Sequence, residues 1–67
     1  MQQNLQLRRG MEITVSAFGG KQLRRRVWED LGRSILVCKE EEYQQAITEQ
    51  REAVCSGFPK EDVMEIH

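Results

Sequence analysis

The scarce residues narrow the field first. The 67 residues include one proline, one histidine, two cysteines and four aromatic side chains (Phe18, Trp28, Tyr43, Phe58). A structural zinc site needs four ligands at paired spacing. Cys38, Cys55 and a single His67 do not supply one. Nucleophilic catalysis needs a base held in place, and His67 at the C-terminal end is expected to be mobile. No glycine-rich phosphate loop is present, since Gly19-Gly20 reads as a hairpin turn. No apolar run approaches the roughly 18 residues of a membrane span. The N-terminus has no apolar export segment, so a cytoplasmic setting with reduced thiols is expected, away from any membrane. These absences lead to the expectation of no cofactor, no metal and no enzyme activity.

What is present is a short, highly charged chain. A chain of this length buries only about 60% of the surface its unfolded form exposes. One small domain is expected, with self-association as a way to cover more apolar surface. The net charge of −1 hides a polarity: residues 1–33 carry +4 and residues 34–67 carry −5. Such a split can steer a partner or draw copies together, although strands that fold back also interleave such halves.

Residues 1–10 read as a flexible polar arm or as upstream sequence ahead of Met11. Residues 11–67 read as the single domain. From Met11 to Phe18 the pattern alternates, with Met11, Ile13, Val15 and Ala17 on one face, as in a half-buried strand. After a two-residue Gly19-Gly20 turn, Gln22 to Trp28 returns as a second strand. There Arg24, Arg26 and Trp28 share a face, and Arg25 must sit at a bulge or rim or snorkel. Glu29 to Arg33 is a turn, with Gly32 suited to positive φ. Ile35-Leu36-Val37-Cys38 is a continuous apolar run, expected as a central strand buried on both faces. Residues 39–52 switch to helical spacing through Tyr43, Ala46 and Ile47, and Glu40, Glu41 and Glu42 suit the first turn. Residues 53–57 read as a fourth strand. Pro59 fixes its own φ, Lys60 to Asp62 suit one 3₁₀ turn, and Val63 to Ile66 a last strand.

Gly57-Phe58-Pro59 with Val63 resembles the Gly-x-Phe-Pro-x-x-Tyr-Val close of SH3 domains, and the order of elements is similar as well. The resemblance implies a mainly β fold: an SH3-like five-stranded barrel with a short helical insertion between strands 3 and 4. The chain also resembles short bacterial proteins of no assigned function. Asp62 stands where SH3 domains have the tyrosine. The Ala-Leu-Tyr-Asp-Tyr stretch and tandem tryptophans that build a polyproline groove are missing, so only Pro59 carries over as a groove residue.

The candidate binding surface is therefore Phe18, Lys21, Arg24, Arg26 and Trp28, with Pro59. A protein partner or a second copy is the leading expectation. Nucleic acid is the alternative, with guanidinium groups on phosphate and Trp28 or Phe18 stacking a base. The same face could instead pack on Glu40 to Glu42, or bury Trp28 under arginine stems. A third reading is an enzyme whose site forms only between subunits.

Overall fold

The computed structural model describes residues 6–67. Five antiparallel strands form one sheet: β1 (Glu12–Ser16), β2 (Gln22–Asp30), β3 (Ser34–Cys38), β4 (Ser56–Pro59) and β5 (Val63–Ile66). One helix, α1 (Glu40–Glu49), joins β3 to β4. The strand order is β4-β3-β2-β1-β5. The class is therefore mainly β, with the helix inserted between the third and fourth strands. The sheet is not closed. β4 and β5 form its two edges and are joined by a single 3₁₀ turn, Lys60–Asp62.

Strand alternation produces two cores. On the inner face Ile13, Val15, Val27, Ile35 and Val37 are wholly enclosed, with Met11, Leu23, Phe58 and Val63 packed around them. On the outer face Trp28, Cys38 and Ala46 are buried, supported by Leu36, Tyr43, Ala53 and Cys55. β3 feeds both cores, with Ile35 and Val37 pointing inward and Leu36 and Cys38 outward. That explains its unbroken apolar run. β2 serves both because adjacent Val27 and Trp28 point to opposite faces, each of them covered. A register shift between Val27 and Glu29 then bends the strand and resets its alternation.

The helix begins without a side-chain cap at Lys39, and Glu40 to Glu42 occupy its first turn as the helix dipole favours. It ends at Gln50 in the left-handed region (φ 55°), whose N–H reaches the carbonyls of Ala46 and Ile47. The Arg51 N–H donates to the Ala46 carbonyl at 3.0 Å. Tyr43 and Ala46 turn toward the sheet, whereas Ile47 stays about half exposed at the margin.

Three expectations need correction. The first hairpin is not a two-residue turn: Phe18–Gly20 forms a one-turn 3₁₀ loop with Gly19 and Gly20 both at φ +79°. The fourth strand is Ser56–Pro59, because the preceding Ala53 and Cys55 pack beneath the helix in the outer core. Residues 6–10 are docked, whereas residues 1–5 of the expected arm lie outside the described residues. Leu7 is 5% exposed in the inner core. The Gly10 N–H donates to the Val27 carbonyl, and the Val27 N–H donates to that of Met11, each at 2.8 Å. This extends the pairing of β2 past the end of β1.

Asp30 pins that docked segment. Its Oδ2 accepts the Leu7 N–H at 3.0 Å and the Lys60 ammonium at 2.8 Å, and its Oδ1 accepts the Gly32 N–H at 2.8 Å. The Leu7 hydrogen bond, followed by that of Lys60, holds the carboxyl at about 2, against an ordinary value of 3.8. A carboxylate depressed in this way stabilises the fold above its unfolded pKa, and the contribution is lost as pH falls through the folded value. Asp30→Asn should lower neutral-pH stability by roughly 1–2 kcal/mol. In urea titrations across the acid range, the gap between Asp30→Asn and wild type should close as pH falls from about 4 to about 2. A gap independent of pH would remove the electrostatic role.

Candidate interaction surface

The outer face of β2 was expected to present Arg24, Arg26 and Trp28 together. Strand geometry does place all three on that side, but each already has a partner. Arg24 Nε lies 2.6 Å from the carboxylate of Glu12 on β1. Arg26 Nε lies 2.5 Å from Glu40 Oε1 at the start of α1, and its Nη1 donates to the Gly10 carbonyl at 2.7 Å. The Arg26 guanidinium also stands 5.5 Å from the centre of the Tyr43 ring. The Glu40 carboxyl is lowered by the hydrogen bond from Arg26 and then by that from Gln44.

Trp28 is 3% exposed. Its indole N–H donates to Glu52 Oε1 at 3.0 Å. The Arg9 guanidinium lies 4.1 Å over one ring face, and Arg9 Nε donates to the Trp28 carbonyl at 2.8 Å. Tyr43 meets the ring edge-on at 5.9 Å. Cation–π and T-shaped contacts of this kind hold an indole in place, and its polar N–H is satisfied. Trp28 therefore serves as a core residue under arginine and tyrosine, the arrangement weighed above against a stacking platform.

Behind Trp28, Glu42 fastens the chain as it leaves the helix. Its Oε2 accepts Arg51 Nη1 at 2.7 Å and the Val54 N–H at 2.8 Å. These two bonds, the arginine's the larger, lower the Glu42 carboxyl. Sequence spacing does not reveal this clip, because a Glu in a first helical turn already has a sufficient reason to be there.

Phe18 is the candidate residue with no covering group. It is 100% exposed at the apex of the β1–β2 hairpin. The apex itself is held by the Ala17 N–H donating to the Lys21 carbonyl at 2.7 Å and the Gly20 N–H donating to that of Ala17 at 3.1 Å. Lys21 is exposed beside it. Pro59 is exposed on the β4 edge, well away from the hairpin in the strand order. Exposed Met64 and Ile66, which spacing alone assigns to a plain terminal strand, lie on the opposite edge, β5. The structure thus separates the six expected site residues: Phe18 and Lys21 at the tip, Arg24 and Arg26 in ion pairs, Trp28 buried and Pro59 on a far edge.

His67 is tethered where mobility was expected. Its N–H donates to the Glu12 carbonyl at 2.8 Å, and its Nε2 lies 2.7 Å from Thr14 Oγ1. It extends β5 along β1, across the sheet from Cys38 and Cys55. No cluster of three or more metal-ligating side chains occurs among the described residues. No helix among them is long and apolar enough to cross a membrane.

Comparisons with protein-family models, with curated proteins and with solved structures return no match.

The covered indole has a direct optical consequence. As the chain's one tryptophan, Trp28 should resist acrylamide in the native state, with its quenching constant rising several-fold in denaturant. Trp28→Ala should destabilise by about 3–5 kcal/mol. Native-state quenching as strong as in denaturant would show an exposed ring and restore the stacking role.

Proposed function

We propose that the chain is a small non-catalytic interaction module that binds protein, with a second copy of itself as the simplest occupant. The observation that carries this reading is Phe18, wholly exposed on a hydrogen-bonded hairpin apex. A large aromatic ring held ready on a rigid turn loses little entropy on docking, and such rings anchor many interfaces. The β5 edge adds Met64 and Ile66 and an unpaired backbone, the kind of edge that accepts another strand.

We further propose that the sheet curls as an SH3-like barrel. Support comes from the strand order, with β1 between β2 and β5, from the 3₁₀ turn before β5, and from the bulge that bends β2. The non-catalytic part of the reading is supported by the separation of His67 from both thiols across the sheet. The nucleic-acid alternative now rests on Phe18, Lys21 and Arg25, with Arg24 and Arg26 drawn off by carboxylates. It requires oligonucleotide binding that weakens with salt, at a log–log slope of roughly −2 to −3.

Sedimentation equilibrium tests the main reading. The wild-type chain should self-associate in the micromolar range. Phe18→Ser should weaken that association by about tenfold or more, the loss of one hot-spot anchor, without changing the circular dichroism. A single 7.9 kDa species at every concentration would rule out the second copy as occupant.

A further inference from the structure

Cys38 ends β3, and Cys55 stands immediately ahead of the neighbouring β4. β3 and β4 pair antiparallel with Leu36 opposite Gly57 and Val37 opposite Ser56. Carried one residue further, this register sets Cys38 directly opposite Cys55. Directly opposed residues of an antiparallel pair have Cα atoms about 4.5–5.5 Å apart and side chains on one face, within the range a disulfide spans. Both side chains belong to the outer core, and both are free thiols.

The two thiols differ in access. Cys38 is buried and hydrogen-bonds to Cys55, while the half-buried Cys55 directs its own S–H at the Ala53 carbonyl at 3.3 Å. A cleft of about 290 Å³ opens beside them, lined also by Arg25, Lys39 and Glu42. Glu42 is engaged by Arg51 and Val54, whereas Arg25 and Lys39 have no carboxylate within ion-pair distance among the described residues. The cleft is therefore suited to an anionic small molecule.

We propose that Cys38 and Cys55 form an oxidisable dithiol site, in which an anionic low-molecular-weight disulfide converts the facing thiols into a cross-strand disulfide. The Cys55 thiolate attacks one sulfur of the small disulfide, forms a mixed disulfide and expels one thiolate. The deprotonated Cys38 sulfur then attacks Cys55 Sγ, closes the protein bond and expels the second. Two protein thiols are oxidised, one small disulfide is reduced to two thiols, and the two protein protons pass to the leaving thiolates. Burial pushes the Cys38 thiol up to about 11 and also raises Cys55, although the hydrogen bond from Cys38 pulls Cys55 the other way. The site is therefore slow near neutrality, and Cys55 is the sulfur that reacts first.

The bond would cross-link the ends of the segment 39–54, which contains α1 and the Glu42 clip. Closing a loop of this size shifts the thermal midpoint upward by roughly 10 °C.

The test incubates the full chain with oxidised glutathione, without oxygen, at mildly alkaline pH, and follows it by intact mass and thiol alkylation. The expected product is a monomer lighter by two hydrogens, with both cysteines blocked and a raised thermal midpoint. Its rate should climb about tenfold per pH unit below the thiol pKa values. Cys38→Ser should accumulate the glutathione adduct on Cys55, and Cys55→Ser should remain largely unmodified. Persistent glutathione adducts on the wild type, a disulfide-linked dimer, or closure of the Cys55 mixed disulfide no faster than in guanidinium would each overturn the proposal.

Discussion

The structure depends on covering both faces of β2 and β3 with a chain too short for a second sheet. The inner face is enclosed by the sheet's own strands together with Leu7 and Met11. The outer face has only α1, Arg9 of the docked N-terminal segment and the returning 51–55 segment. Trp28 stands where these three meet, touched by Arg9, Tyr43 and Glu52. A large ring with satisfied polarity fills a space that several smaller apolar residues would otherwise have to fill. The arginines around it cover apolar surface with their stems while their charged ends pair with Glu40 and Glu42.

That constraint also explains the charge arrangement. Arg24 meets Glu12 across β1 and β2, Arg26 meets Glu40 on the helix, and Arg51 meets Glu42 and Glu49. Exposed pairs of this kind contribute little each, but they leave few free charges on the outer face. Arg26 joins the basic half of the sequence to the acidic half, so the polarity seen along the chain is partly cancelled in the fold. Phe18 at the hairpin tip and Met64 and Ile66 on the β5 edge lie outside these ion pairs.

Features set by neighbours along the chain were legible in the sequence. The alternation of Ile13 and Val15, the apolar run 35–38, the positive φ of Gly32 and the turn at Lys60–Asp62 all follow from local chemistry. Features set by distant partners were not. The burial of Trp28 needs residues 9, 43 and 52, and Leu7 is held by Asp30 and the inner core. Arg25 falls opposite Ile13 in an unbroken β1–β2 register, so no bulge accommodates it, and it keeps partial exposure. The hairpin differs from its expected form because two adjacent glycines permit both a two-residue turn and the longer Phe18–Gly20 loop. Only the longer loop lifts Phe18 clear of the strands.

The two sheet edges are chemically unequal. β4 contains Pro59, which has no N–H to offer an approaching strand, whereas β5 contains none. Chains that added edge to edge would therefore favour β5 against β5. That pairing brings the same edge from each copy together, uses it up and ends in a closed two-fold pair. Stacking β5 of one chain on β4 of the next, the head-to-tail route by which sheets grow into filaments, meets a missing donor at every junction.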